Sequence, residues 1–394
     1  MADLIASSRR VMAAYRGETA DRIPMASPIS WQPMRDIARE KPGGWRNDPA
    51  FIRLAALVEK HCDPVPPYNP MKLPPVFSTI SYQRFMEAPD DFIERLPAKL
   101  TSPTRTEKTT VLHTPKGDLF WTTFEDDGIE TSWDMRKPIE RLEDIEKMLS
   151  VPYSFKRPDA AAFEPFREYR QEMGRDCIGG AGINSMVAML CGMMDFELLL
   201  EWVMTEPATI KRLADVWLER TWEKVDFLLS QGVGPFWHFN GVERASPPMM
   251  GPRQWNELVV PYDGEIMRRI KARDPEAKIH VHCHGKVATL LPSWLDMGVD
   301  STDPVEPPAQ GNIAFADAKR LVAGRMTLFG NIEFVDMERC TPDEMEARVR
   351  TAIEDGGKKH MLLYPSATPH ERHSDRLLAN AERYIQAGVK YGTF

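Results

Sequence analysis

Three histidines fall at alternate positions in His280-Val-His282-Cys283-His284-Gly285, with a cysteine between the last two. Alternate residues of a β-strand share one face, so His280, His282 and His284 project together if this stretch is extended. The flanking sequence supports that: Asp274-Pro-Glu-Ala-Lys278 reads as a turn, Ile279 and Val281 suit a buried strand, and Gly285 suits a tight turn after it. Two imidazoles two residues apart can reach one divalent metal ion, and zinc is well served by neutral imidazole nitrogen. The opposing reading is that these are hydrogen-bonded core histidines. It fits one histidine well and three in five residues poorly. Cys283 alternates away from the histidines and is expected to be a buried thiol between sheet and helices.

The elements that would position such a cluster follow from the pattern around it. Short apolar stretches are read as strands at Cys177–Gly180, Pro235–Phe239, Lys278–His282, Ser301–Asp303, Met326–Phe329 and His360–Leu363. Amphipathic runs separate them at 208–230, 252–273, 287–297, 314–322 and 342–354. Alternation of this kind indicates a parallel sheet covered by helices. No GxGxxG occurs, which argues against a dinucleotide crevice. The expected fold is therefore α/β, one (β/α)8 TIM barrel over residues 1–394. A helix at Ser7–Tyr15, a first strand at Arg22–Met25 and a proline-rich irregular section precede the main alternation. A β-hairpin at Thr109–Trp133, turning at Thr114–Gly117, reads as an insertion.

Composition narrows the class. The 394 residues are 42% hydrophobic and 27% charged, ordinary for a globular chain with a large core, and the net charge of −8 disfavours nucleic acid. Five scattered cysteines without a CxxC argue against a disulfide framework and for a reducing cytoplasm. The N-terminus does not read as a signal peptide, and no apolar stretch approaches the roughly 20 residues needed to span a bilayer.

In a barrel the active site lies at the C-terminal ends of the strands. Those places carry His238 and Glu243, His282 and His284, Asp303, Asn331 and Glu333, and His370 and His373. Glu243, Asp303 and Glu333 are the candidate catalytic groups. Trp237, His238, Phe239, Asn331 and His370 are candidates to bind substrate. Each has an ordinary alternative as a helix cap, turn or surface group, and it is their convergence that points to a site.

Several of these stretches together resemble the uroporphyrinogen decarboxylase superfamily: Arg22-Ile-Pro24, Arg244 to Pro248, the histidine strand ending in Gly285, Asp303-Pro304, Gly330-Asn-Ile-Glu333 and Pro365-Ser-Ala-Thr-Pro369. The resemblance implies a (β/α)8 barrel. The decarboxylases of that superfamily carry an arginine-rich segment after the first strand, but here the chain reads Ala26-Ser-Pro-Ile-Ser-Trp-Gln-Pro33. A polycarboxylated substrate wants several cations, so porphyrinogen decarboxylation is disfavoured. The zinc methyltransferase branch carries His-x-Cys on one strand and a distal Cys. His282-Cys-His284 falls on the first pair with His for Cys, and Ala367 falls near the distal position. The third ligand must then come from Glu243, Glu333, His370 or His373, with Glu243 the first choice. The resemblance thus implies a zinc-dependent enzyme that moves a methyl group from a small methylated compound, a methyl ether by the hardness of its ligands, to a corrinoid on a separate protein. A homodimer is left open. The alternative is a metal-free lyase acting on a small carboxylated substrate with the histidines as acid and base.

Overall fold

The computed structural model describes residues 2–30, 32–67, 79–80, 88–129, 131–369 and 372–394. Its strands in chain order are β1 (Thr79–Ile80), β2 (Ile93–Arg95), β3 (Lys99–Leu100), β4 (Arg105–Leu112), β5 (Leu119–Asp126), β6 (Trp133–Arg136), β7 (Gly180–Asn184), β8 (Phe236–Asn240), β9 (Lys278–His282), β10 (Ser301–Asp303), β11 (Thr327–Ile332) and β12 (Met361–Pro365). They form two sheets. Seven strands pair in parallel in the order β1-β7-β8-β9-β10-β11-β12. The segment around Met25 adds a parallel bridge to Leu363 beyond β12, with Ala26 N–H donating to the Leu363 carbonyl at 2.9 Å. That makes eight parallel segments in barrel order. Among the described residues no pairing joins β1 to the Met25 segment, so the described sheet is open at that seam.

The hairpin expected at Thr109–Trp133 is instead an antiparallel pair over Arg105–Asp126. β4 and β5 pair antiparallel along their length, Thr109 against Thr122 and Val111 against Phe120. With β2, β3 and β6 they build a second sheet of five strands, separate from the parallel one.

Two apolar cores lie on opposite faces of the parallel sheet, because successive residues of a strand point to opposite sides. One, between sheet and helices, takes Ile183 of β7, Trp237 and Phe239 of β8, Ile279 and Val281 of β9 and Leu363 of β12. The other fills the inner face at one end of the strands. There the N-terminal helix α1 (Ala2–Arg16) places Val11, Met12 and Tyr15 against Ile178, Phe236, Phe329 and Leu362. The Tyr15 ring stands edge-on to Phe236, with centroids 5.1 Å apart. α1 thus forms a floor, and the remaining inner face is free for polar groups.

Several boundaries depart from the sequence reading. β7 begins at Gly180, where Cys177–Gly180 was expected. The run at 252–273 is two helices, Pro252–Leu258 and Asp263–Arg273, parted near Pro261, which has no N–H to continue the ladder. Cys283 is buried in the sheet–helix core as expected, and all five cysteines are unpaired. Among the described residues no helix is long and apolar enough to cross a membrane.

Candidate active site

The polar side of the sheet is built by register. His238 on β8 lies opposite His280 on β9, and β10 sets Ser301 opposite His280 and Asp303 opposite His282. All five are at like parity and share the inner face. His280 is 1% exposed and uses both ring nitrogens: Nδ1 lies 2.7 Å from Ser301 Oγ and Nε2 lies 2.6 Å from Asp303 Oδ1. The other carboxylate oxygen of Asp303 accepts from His282 Nδ1 at 3.1 Å. The His238 ring packs on His280 at 4.7 Å, and its Nε2 is buried without a hydrogen-bond partner among the described residues.

Charge follows from these contacts. Burial pushes the Asp303 carboxyl up, but the imidazoles of His282 and His280 outweigh it and hold the group well below the usual carboxylate range. Burial pushes His282 down, and the carboxylates of Asp303, Glu243 and Glu306 overturn that, lifting it to about 9. At His238 the charge of Asp303 is outweighed. Burial, then the neighbouring His280, puts it well below the usual imidazole range, so it stands neutral.

Beyond the strand end, His284 Nδ1 lies 2.8 Å from Glu306 Oε1, and Gly285 N–H donates to Glu306 Oε2 at 2.6 Å. Gly285 has a φ of +89°, the left-handed turn that the sequence anticipated. The His282 and His284 rings are 4.8 Å apart and nearly perpendicular. Each turns Nδ1 to a carboxylate, which leaves Nε2 as its outward nitrogen. Glu243 sits on the single turn Val242–Ala245 after the left-handed Gly241, and its Oε2 is buried without a partner among the described residues. Glu333 follows β11. Its Oε1 accepts from Ser366 Oγ at 3.0 Å, its Oε2 is buried and likewise unpartnered, and burial, with Glu306 adding to it, pushes its carboxyl up.

A cavity of about 610 Å³ opens over this face. His238, His280, His282 and Asp303 form one wall, and Val58 with Pro64 to Pro67 forms part of the other. Asn331 shares the inner parity of β11 with Phe329. Trp237 and Phe239, expected to line the pocket, do not. His238 faces inward, so its two neighbours face the helices, where both are fully buried in the sheet–helix core. His370 lies outside the described residues. His373 is a packed residue, its ring 4.7 Å from Trp45 and 5.3 Å from Phe51. Ser301 and Glu306 were not singled out from the sequence, although Ser301 lies two residues before Asp303 and so on its face.

Three metal-ligand atoms within 4.8 Å of one another occur at one place among the described residues, on His238, His280 and Asp303. This is one layer below the His282–His284 pair. Both layers offer donors of the right chemistry for a divalent ion. The lower has the orphaned His238 Nε2, but its other two atoms already share a short hydrogen bond. The upper has two imidazoles whose Nδ1 atoms are anchored on carboxylates, the outer arrangement that orients histidine ligands.

The chain is similar to several known proteins. A solved structure of a methyltransferase from Methanosarcina mazei is similar over 98% of each chain, with a TM-score of 0.56 and 15% identity. A B12-independent methionine synthase from Shewanella sp. W3-18-1, in complex with selenomethionine, covers 79% of this chain and 78% of its own, with a TM-score of 0.39 and 10% identity. No curated protein sequence matches the chain significantly. The sequence model of uroporphyrinogen decarboxylase (URO-D) matches residues 130–369, a span that holds β7 to β12 and every polar group of the inner wall, and the chain belongs to that family.

Proposed function

We propose that the chain is a methyltransferase that takes a methyl group from a small uncharged methylated compound, a methyl ether foremost, and passes it to a corrinoid carried by a separate protein. The observation that carries this reading is the pair His282 and His284, each tied through Nδ1 to a carboxylate. Held so, both imidazoles keep Nε2 for a divalent ion, zinc by donor type, and the unpartnered Glu243 oxygen is the proposed third ligand, although these three residues do not bring their ligand atoms within 4.8 Å of one another as the His238 trio does. A zinc ion there supplies Lewis acidity toward the oxygen that loses the methyl group.

The chain's own groups divide the remaining work. Asp303 and Glu306 hold the two imidazoles in place. Glu333, its carboxyl pushed up by burial, is the proposed acid that delivers a proton to the leaving oxygen. The apolar wall of Val58 and Pro64 to Pro67 receives the donor and excludes water. Among the described residues lining the cavity there is no Lys or Arg, which suits an uncharged donor and disfavours the lyase acting on a carboxylated compound.

The test mixes the purified chain with methoxylated aromatic compounds and a Co(I) corrinoid and follows the visible spectrum. Appearance of methyl-Co(III) with one demethylated product per methyl group supports the proposal. A persistent Co(I) spectrum across a broad donor panel refutes it, and CO2 release from a carboxylated compound would establish the lyase instead. The His238–His280–Asp303 cluster favours a second placement of the ion, one layer lower. Loss of stoichiometric zinc in His284→Ala but not in His238→Ala assigns the upper site, and the reverse assigns the lower.

A further inference from the structure

Five side chains form one unbroken hydrogen-bonded line from the floor of the sheet to the cavity. The Tyr15 hydroxyl, on α1, is 2.5 Å from Ser301 Oγ. Ser301 Oγ is 2.7 Å from His280 Nδ1, His280 Nε2 is 2.6 Å from Asp303 Oδ1, and Asp303 Oδ2 is 3.1 Å from His282 Nδ1. The directions of the two bonds to Asp303 follow from the carboxylate. An ionised carboxylate only accepts, so His280 donates from Nε2 and His282 donates from Nδ1. In the tautomer that carries its one proton on Nε2, His280 has a bare Nδ1, which accepts the Ser301 proton. Ser301 Oγ, having given its proton, accepts from Tyr15, whose hydroxyl ends the line as its first donor.

We infer that Tyr15 and Ser301 are positioning residues: with Asp303 they hold the His280 ring in one orientation and tautomer, and His280 so held keeps in place the Asp303 carboxylate that takes the His282 Nδ1 proton and leaves Nε2 to the cavity. The surroundings make a purely space-filling role costly. The Tyr15 side chain packs against the apolar cluster of Phe236, Phe329, Ile178 and Leu362, and Ser301 is fully buried, so an apolar pair here would avoid the desolvation of two hydroxyls. Phe329 also tilts against the His280 ring at 4.8 Å, opposing a flip. Tyr15 lies outside the residues that match the family model, so the end of this line is supplied by the N-terminal helix. The tautomer assignment stands without the proposed methyl transfer; its consequence for a metal on His282 rests on that reading.

The test uses the full chain, freed of metal by chelator and labelled with 15N-histidine. Long-range 1H–15N correlation spectra, assigned with single His→Gln variants, read which nitrogen of each ring is protonated. His280 is expected as the Nε2–H form with Nδ1 accepting, and His282 with a proton on Nδ1. In Ser301→Ala the His280 Nδ1 resonance should move to that of an unbonded bare nitrogen, Tyr15→Phe should move it part of the way, and Ser301→Thr should restore it. Zinc affinity should fall about 10-fold in Ser301→Ala and recover in Ser301→Thr. A His280 proton on Nδ1, or on both nitrogens, overturns the inference. So does a wild-type His280 spectrum in a folded Ser301→Ala, or in Tyr15→Phe if Ser301→Ala fails to fold. Absence of zinc binding in the wild type would count against the metal reading alone, because the tautomers are read without metal.

Discussion

Replacing Asp303 with Asn changes one oxygen to an amide nitrogen at constant volume, at the residue that joins the two layers of histidine. Asp303 is 1% exposed and accepts from His280 at 2.6 Å and from His282 at 3.1 Å. Hydrogen bonds to a charged group contribute about 1.5–3 kcal/mol each. Breaking a buried ion pair from one side costs about 3–5 kcal/mol. Asn keeps one acceptor, so one bond survives as a neutral bond, and the loss should be near the lower bound, about 3 kcal/mol. A chain of ordinary stability, about 5–15 kcal/mol, remains folded after that loss. The new NH2 must face one of the two imidazoles, which has to present a bare nitrogen to it. His280 is held by Ser301, whereas His282 borders the cavity, so His282 is the ring that changes. Its proton moves to Nε2, and the lone pair offered to a metal is lost. Zinc affinity should fall about 10–100-fold. Denaturant unfolding measures the first effect and competition against a chelator the second. The titration is best made above pH 9, because the wild-type His282, lifted to about 9, otherwise competes for its own proton. A variant within about 0.5 kcal/mol of the wild type that also binds zinc unchanged would refute the reasoning, since the carboxylate would then be neither supporting the imidazoles nor setting their protons.

Three further outcomes are expected. Glu333→Gln should leave the fold intact and lower methyl transfer about 100-fold, and in the wild type the rate should fall as pH rises through the raised Glu333 value; an unchanged rate removes it as the acid. Asp263 is fully buried, accepts from Ser185 Oγ and from Met186 N–H, and is pushed by burial up to about 7. The native state therefore binds the extra proton between the unfolded value near 3.8 and 7, so stability is full below that window and falls by about 4 kcal/mol across it as pH rises; Asp263→Asn should flatten the profile, and an identical slope in both proteins would contradict the assignment. Gly180→Ala would put a Cβ 1.8 Å from the Phe236 carbonyl oxygen on the paired strand, so unfolding experiments should show a loss of about 3 kcal/mol or more, and a neutral result would mean that β7 and β8 are not in this register.

The parts of the fold that could be read from the sequence are those where side chains mark the pattern. β9 and β10 were placed to the residue, because Ile279 and Val281 alternate with histidines and the Ser301-Thr-Asp303 strand sits between turn signals. β7 was placed three residues early. Its sequence, Gly-Ala-Gly-Ile-Asn, presents glycines on the inner face, and a face without side chains has no period to read. The glycines are there because Gly180 must let the Phe236 backbone approach, a requirement that exists only once the strands are paired. Trp237 and Phe239 were misplaced for a different reason. Their proximity to His238 in sequence suggested one pocket, but adjacent strand residues face opposite sides, and parity about the inward His238 would have assigned both to the core. Tyr15 could not have been found: it stands 286 positions from Ser301 in the chain and meets it through a helix whose docking depends on apolar contacts with four other segments.

The inner face also explains why the histidine pattern is informative. Strands of a parallel sheet are buried on both faces and are ordinarily apolar on both. Here β8 and β9 keep one face apolar, β10 turns Thr302 to that side, and the three strands set His238, His280, His282, Ser301 and Asp303 on the other. Burying such groups unpaired would cost about 1–3 kcal/mol each. The chain avoids most of that by linking them in sequence, each donor to one acceptor, from Tyr15 to His282 and again from His284 to Glu306. The bonds omitted are as telling as those made. Among the described residues, His238 Nε2, Glu243 Oε2 and Glu333 Oε2 are buried without partners, although paired polar groups surround them. Other buried atoms of the described residues lack partners too, Trp217 Nε1 and Trp294 Nε1 in the helical layer among them, so what sets these three apart is their chemistry. They are a neutral imidazole nitrogen and two carboxylate oxygens, donors for a divalent cation or for a proton in transfer. An ordinary porphyrinogen site would instead need cations there, and it is this difference in chemistry, within a shared family and fold, that separates the proposed methyl transfer from decarboxylation.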